Sequence, residues 1–305
     1  MEKVKDFIIN GIRGFCMALA DSVPGVSGGT IAFLLGFYDK FIGSLDDIFR
    51  GKKEEKIEAL KFLIKIGIGW AIGFIIASKI LGSVLETHIY ALSSLFLGFI
   101  IFAIPIVIHE EKETLKKSYK SIIFILLGIA FVIGITLLSP AKGDNGVNIA
   151  NLDFGIIVYV FIAAMIAISA MVLPGISGST LLLIFGLYAP IFGAIHKFLE
   201  FDFSVVPILI VFGLGIITGV LVFVRLIKKC LTKYRAQSIY AIIGMMIGSI
   251  YSILQGPTTL ETPQAAMNFG TFSILFFVIG ALVVAGLQAL KYFMDKKENK
   301  EINSI

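Results

Sequence analysis

The chain has 305 residues, 57% of them hydrophobic and 15% charged, with a mean hydropathy of +0.96 and a net charge of +5. This composition excludes a soluble enzyme and fits an integral membrane protein. Lys and Arg gather in short loops without interleaved aromatics, which sets nucleic acid aside as a partner, and Cys16 and Cys230 suggest neither a disulfide framework nor a metal site.

From the N-terminus, residues 2–15 carry acids and Arg13 with no small-residue cleavage site, so no cleaved signal peptide is expected. Residues 7–20 and 29–43 flank Pro24-Gly25-Val26-Ser27-Gly28-Gly29-Thr30. Each flank is about 15 residues long, whereas a perpendicular span needs about 20, so 7–43 is predicted to be a helical hairpin dipping into the membrane. A charged loop, 46–61, leads to predicted spans at 62–82, 89–108 and 121–138, and 139–152 is a polar linker.

The second half repeats this order. Pro174-Gly175-Ile176-Ser177-Gly178-Ser179-Thr180 lies 150 residues after the first motif, and the register through Tyr38 and Tyr188 holds seven identities in fifteen positions. Chance would give roughly one. The same offset places Ile89-Tyr90-Ala91 on Ile239-Tyr240-Ala241, Gly98 on Gly248 and Gly69 on Gly219. A hairpin over 154–195 and spans at 205–226, 238–254 and 271–290 follow, before a polar tail at 296–305. The chain therefore divides into repeat one (1–138), the linker and repeat two (153–295).

Basic loops set the orientation. Arg50, Lys52, Lys53, Lys56 and Lys61 follow the first hairpin; Lys112, Lys116, Lys117 and Lys120 form the next cluster; Lys228, Lys229, Lys233 and Arg235 and then Lys291, Lys296, Lys297 and Lys300 belong to the second half. The other loops contain only Lys142 and Lys197. Threading the basic loops inside requires each hairpin to return to the face it left, with both termini cytoplasmic. The fold expected is an all-α integral membrane protein of two inverted-topology repeats, each a re-entrant hairpin plus three transmembrane helices, as in secondary transporters and some channels.

At each motif Pro and Gly stop one helix, and Ser-Gly-x-Thr can start another. The first amides of that helix, at Ser27, Gly28, Gly29 and Thr30 and at Ser177, Gly178, Ser179 and Thr180, lack intrahelical partners and sit at the positive end of the dipole. Glycine admits a ligand close to the backbone, and such a tip suits phosphate. A tight helix contact through small residues is the other reading. Arg13 and Asp21 are charges within the apolar stretch, about 12 Å apart along a helix, so direct pairing is not expected. Arg13 can reach an anionic head group or snorkel to the surface; Asp21 can exchange a proton near the tip or cap the break. Repeat two has Ala163 and Met171 in their places. Tyr38 and Tyr188 are interfacial anchors or cavity hydroxyls, Lys65 and Lys79 are expected to snorkel, and Glu86 and His88 are solvated loop residues. His109 and His196 have no ligand spacing, and no Gly-x-Ser-x-Gly, His-Glu-x-x-His or P-loop occurs, so no catalytic residue, metal or cofactor is expected.

Ala20-Asp21-Ser22-Val23-Pro24-Gly25-Val26-Ser27-Gly28-Gly29-Thr30 with Gly36-Phe37-Tyr38 resembles the signature of the bacterial polyprenyl-phosphate transporter family. Met171-Val172-Leu173-Pro174-Gly175-Ile176-Ser177-Gly178-Ser179 with Gly186-Leu187-Tyr188 resembles its second signature, so the likeness spans about 10–290. The resemblance implies a multi-pass protein of the bacterial cytoplasmic membrane that returns undecaprenyl phosphate from the outer to the inner leaflet. The residues specify neither the coupling ion, proton or sodium, nor the oligomeric state. Two opposed helix N-termini fit such a cargo, since only its phosphate needs shelter while the prenyl tail stays in lipid. A small-anion channel or exchanger is the alternative the same broken helices would serve.

Overall fold

The computed structural model describes residues 2–21, 27–138, 153–175, 178–259 and 264–302. The linker 139–152 and motif residues Pro24, Gly25, Val26, Ile176 and Ser177 lie outside the described residues, as do the side chains of Lys79, Glu86, Ser179, Thr180, Tyr188 and His196. Helices and their connections account for all that is described, with no strand among the described residues. In hydrocarbon a single helix is the one segment that satisfies its own backbone polar groups.

The first half contains α1 (Glu2–Asp21), α2 (Gly28–Leu34), α3 (Tyr38–Arg50), α4 (Lys53–Glu110), α5 (Lys112–Lys117) and, after a 3₁₀ turn at Tyr119–Ile122, α6 (Ile123–Leu138). The second half contains α7 (Phe154–Val172), α8 (Gly178–Ile184), α9 (Tyr188–Leu199), α10 (Val206–Gly219), a π-helical turn over Val220–Val224, α11 (Arg225–Lys233), α12 (Arg235–Gln255) and α13 (Ile274–Ile302). The starts of α2 and α8, and of α3 and α9, fall 150 residues apart (28 to 178, 38 to 188). Five segments among the described residues are long and apolar enough to cross a membrane: Lys53–Ala77, His88–Glu110, Tyr119–Leu137, Phe203–Lys233 and Arg235–Thr258. The apolar stretches of α7 (Phe154–Ser169) and α13 (Ile274–Ala289) are shorter.

Three boundaries differ from those read in the sequence. The loop expected at 83–88 is helical backbone, and the break between the two spans of α4 is a single non-helical residue, His88, with φ −132° and ψ 32°. The charged stretch 46–61 is a loop only near Gly51 and Lys52: α3 runs on to Arg50, and the Lys52 amide donates to the Glu55 side chain at 2.6 Å to start α4. The apolar stretches 29–43 and 178–195 are each two helices. Each breaks at a glycine with positive φ, Gly36 at 71° and Gly186 at 63°, a conformation that costs other residues a steric clash.

Close backbone approach decides the packing. A Cβ on Gly14 of α1 would lie 1.9 Å from the Ile66 carbonyl oxygen of α4, and one on Gly69 would lie 1.9 Å from that of Gly11. In the second half Gly215 and Gly219 bring α10 onto Phe161 and Met165 of α7. The halves also contact reciprocally: Gly98 of α4 meets Phe277 of α13, and Gly248 of α12 meets Ile129 of α6. Small residues permit these contacts, and dispersion between the approached backbones holds them where no hydrophobic driving force acts. At one end of the molecule the basic connections meet, through Arg50 with Leu221 and Arg235 with Glu111. At another, the Tyr90 hydroxyl donates to the Ala265 carbonyl at 3.0 Å.

Candidate functional site

Both flanks of the first motif lie beside one turn of α4: Asp6 pairs with Lys65, and the Lys40 ammonium sits 4.8 Å from the Phe62 ring centroid. The last residue of α1 lies farther along that helix, where an Asp21 carboxylate oxygen accepts the Trp70 indole N–H at 2.9 Å. Asp6 and Lys40, on the two flanks, thus lie beside the same turn of α4, and Asp21 meets that helix five residues beyond Lys65. Lys65, expected to snorkel, has an acidic partner in Asp6.

Side chains hold the start of α2. The other oxygen of Asp21 accepts the Gly28 amide at 2.7 Å, Ser27 Oγ accepts the Gly29 amide at 3.1 Å, and the Thr30 amide bonds the Ser27 carbonyl at 2.9 Å. All three leading amides of α2 therefore have protein acceptors, and the acceptor at Gly28 is a carboxylate, the charge type the dipole favours. A Cβ on Gly28 would lie 2.6 Å from Asp21 Oδ2, so glycine is required for that contact. In the second half a Cβ on Gly178 would lie 2.9 Å from Cβ of Met171, the residue in the place of Asp21.

The two motifs meet. Ser27 Oγ donates to the Leu173 carbonyl at 2.9 Å, the Gly175 amide donates to Thr30 Oγ1 at 2.9 Å, and the Tyr38 hydroxyl donates to the Val172 carbonyl at 3.2 Å. Gly29 completes the contact, since a Cβ there would lie 2.8 Å from the Val172 carbonyl oxygen. Ser27 and Thr30 are fully buried, and Gly175 holds φ at 86° to aim its amide at Thr30. These bonds satisfy carbonyls that the end of α7 leaves without intrahelical donors. Tyr38, read as an anchor or a cavity hydroxyl, is buried and serves the other half.

Arg13 lies on the α1 flank, donating to Asn10 Oδ1 at 3.0 Å with its guanidinium carbon 5.0 Å from the Phe37 ring centroid. Phe37, Tyr38 and Asp39 thus touch, in succession, α1, the end of α7 and α12, the last through Arg235 at 2.8 Å. Trp70 was not singled out in the sequence, although a lone tryptophan in an apolar span, one turn from Lys65 and following Gly69, is a usable signal. The Arg235–Asp39 pair had no sequence signal, being 196 residues apart. No group of His, Cys, Asp and Glu side chains among the described residues has the arrangement of a metal site.

The model of the undecaprenyl phosphate translocase-like family matches residues 17–271. A polyprenyl-phosphate transporter of Staphylococcus aureus is 35% identical over 276 residues, covering 90% of this chain and 94% of the relative. One of Vibrio cholerae is 32% identical over 269 residues, covering 85% and 81%. No solved structure matches the chain. With the match spanning both motifs and the helices that carry them, the chain belongs to the undecaprenyl phosphate translocase-like family, and is a multi-pass membrane transporter rather than an enzyme.

Proposed function

We propose that this protein is a flippase that carries undecaprenyl phosphate, or a related polyprenyl phosphate, from the outer to the inner leaflet of the bacterial cytoplasmic membrane for carrier-lipid recycling. The observation that carries this reading is the direct contact of the two signature motifs, Ser27 with Leu173 and Gly175 with Thr30. A phosphate site between them faces each leaflet in turn if the halves are inverted repeats with re-entrant hairpins. The 150-residue register of α2 and α8, and the reciprocal contacts of Gly98 and Gly248, support that symmetry. The shared position of Asp6 and Lys40 beside α4 supports re-entry.

On this reading the phosphate is held by Ser27, Gly28, Gly29 and Thr30 and by Ser177, Gly178, Ser179 and Thr180, with Arg13 drawing it in from the α1 flank. Since Asp21 already occupies the Gly28 amide, phosphate enters by replacing one anion with another. Protonation of Asp21 eases that exchange and couples lipid return to the proton gradient. The prenyl tail stays in lipid, and both termini are cytoplasmic because the basic connections are.

The test is reconstitution in liposomes with a head-group-labelled polyprenyl phosphate in one leaflet and a membrane-impermeant quencher outside. Protein-dependent exposure of the label, absent for the phosphate-free polyprenol, is the expected result. Flux of chloride or inorganic phosphate without lipid movement would instead mark a small-anion carrier.

A further inference from the structure

The two halves are not equal at the face where the basic connections meet. There α3 of the first half lies against α11, the π turn and α12 of the second. Lys228 Nζ bonds Asp46 at 3.0 Å and Asp47 at 2.9 Å. Arg50 pairs with Asp46 at 2.7 Å and also donates to the Leu221 carbonyl at 2.8 Å. That carbonyl belongs to the π turn, so Arg50 ties α3 to the point where the helix pattern of the second half changes. Eleven residues before Arg50 along α3, Asp39 pairs with Arg235 at 2.8 Å, and Arg235 also reaches Glu111, which follows α4, at 2.5 Å. Asp39 adjoins Tyr38, whose hydroxyl rests on Val172 beside the second motif.

The 150-residue register shows what the opposite face would need for the same contacts. In place of Asp39, Asp46 and Asp47 the second half has Ala189, His196 and Lys197; in place of Lys228 and Arg235 the first half has Ser78 and Leu85. Arg50 falls on Glu200, and of the seven charged residues Glu111 alone has a like counterpart, Glu261, so the paired set is not repeated. Two repeats of one fold exchanging conformations would otherwise visit their two states with similar free energies.

We propose that Lys228 and Arg235, with Asp39, Asp46, Asp47, Arg50 and Glu111, form a latch between the halves that closes the basic face and biases the conformational equilibrium toward the state closed on that side. Single exposed ion pairs contribute little, but these share partners, span two rigid helices and act on one element, α3. The latch goes beyond the transport reading. It would bias any carrier built on this fold, whatever its cargo.

Ser44, buried in α3 between the two ends of the latch, is the reporter. The full chain carrying Cys16→Ala, Cys230→Ser and Ser44→Cys is labelled in membrane vesicles with an impermeant maleimide added to one side. Lys228→Ala and Arg235→Ala are each expected to raise the labelling rate from the basic face about tenfold, as the loss of two pairs in each implies. Arg235→Lys is expected to raise it less. The charge-swapped protein Lys228→Glu with Asp47→Lys, made together with Asp46→Asn so that the new carboxylate has no like-charged neighbour, is expected to return to slow labelling, which separates a latch from damage to the fold. Parental labelling rates in both alanine variants, or a swapped protein that labels as fast as Lys228→Ala, would overturn the proposal.

Discussion

The carboxylate of Asp21 is shared between the Trp70 indole N–H at 2.9 Å and the Gly28 amide at 2.7 Å, so one side chain ties the end of α1 to both α4 and α2. Trp70 is the sole tryptophan in the chain. Its fluorescence therefore reports on Asp21 directly. Titrating the detergent-solubilised protein with polyprenyl phosphate is expected to shift the emission maximum, and polyprenol to leave it in place. An emission unchanged by both lipids would mean that phosphate does not displace Asp21.

Asp21→Asn keeps an acceptor for the Gly28 amide but cannot exchange a proton. Transport in proteoliposomes is expected to continue while losing its response to an imposed pH difference. Asp21→Ala removes the acceptor as well and is expected to cost about 1 kcal/mol of stability, the usual loss of a helix cap. A variant Asp21→Asn that responds to the gradient like the parent would reduce Asp21 to a cap.

Gly29→Ala is the sharpest test of the contact between motifs. Its Cβ would lie 2.8 Å from the Val172 carbonyl oxygen, a main-chain atom that cannot step aside. Transport is expected to fall at least tenfold with the protein still inserted. For Gly28→Val the obstacle is the movable Asp21 carboxylate, and for Gly178→Val it is Met171, so both are expected to express and to lose transport by filling the phosphate approach. Normal activity in Gly28→Val and Gly178→Val together would assign the glycines to packing alone.

Tyr38→Phe deletes the hydroxyl that rests on the Val172 carbonyl. Leaving that buried carbonyl with one donor fewer is expected to cost about 1 kcal/mol, seen as a lower melting temperature. Transport is expected to fall as well, because α3 loses its bond to the second motif. An unchanged Tm would show that the carbonyl finds another donor.

Asp46 gives the latch a pH limit. Burial alone would raise its pKa, but hydrogen bonds from Lys228 and Arg50, and their charges, outweigh burial and hold it below its ordinary value of 3.8. A depressed carboxylate contributes stability above its unfolded pKa, and that contribution disappears as pH falls through the folded value. The melting temperature is therefore expected to drop below about pH 4, and to drop less in Asp46→Asn, which forgoes the contribution at every pH. Parallel curves for the two proteins would remove Asp46 from the latch.

The parts of this fold legible in the sequence are those that local patterning determines. The span-length apolar runs, the halt at each Pro-Gly and the N-cap at Ser27 all follow from residues within a turn of one another. The repeat offset was readable because Gly36 and Gly186 occupy positions where positive φ admits little else. What escaped were contacts between distant residues. That Asp21 would find Trp70, or Arg235 find Asp39, depends on how α1, α3 and α12 are juxtaposed, and glycine-mediated backbone approaches set that juxtaposition. The kink at His88 escaped too, because Ser83–His88 looks like a loop by polarity although its backbone is helical up to the kink.

The bonds from Ser27 to Leu173 and from Gly175 to Thr30 span 146 and 145 residues. At ribosomal rates of 5–20 residues per second, the first motif waits about 7 to 30 seconds after its own synthesis for its partner to be made. During that interval Ser27 and Thr30, fully buried in the finished protein, have neither Leu173 nor Gly175 to bond. A hydroxyl and a broken helix cannot rest in lipid tails for so long without cost. The first half is thus expected to depend on whatever shields polar segments at the insertion site, and a chain cut short before Leu173 is expected to be cleared by membrane quality control rather than to persist as a half-transporter.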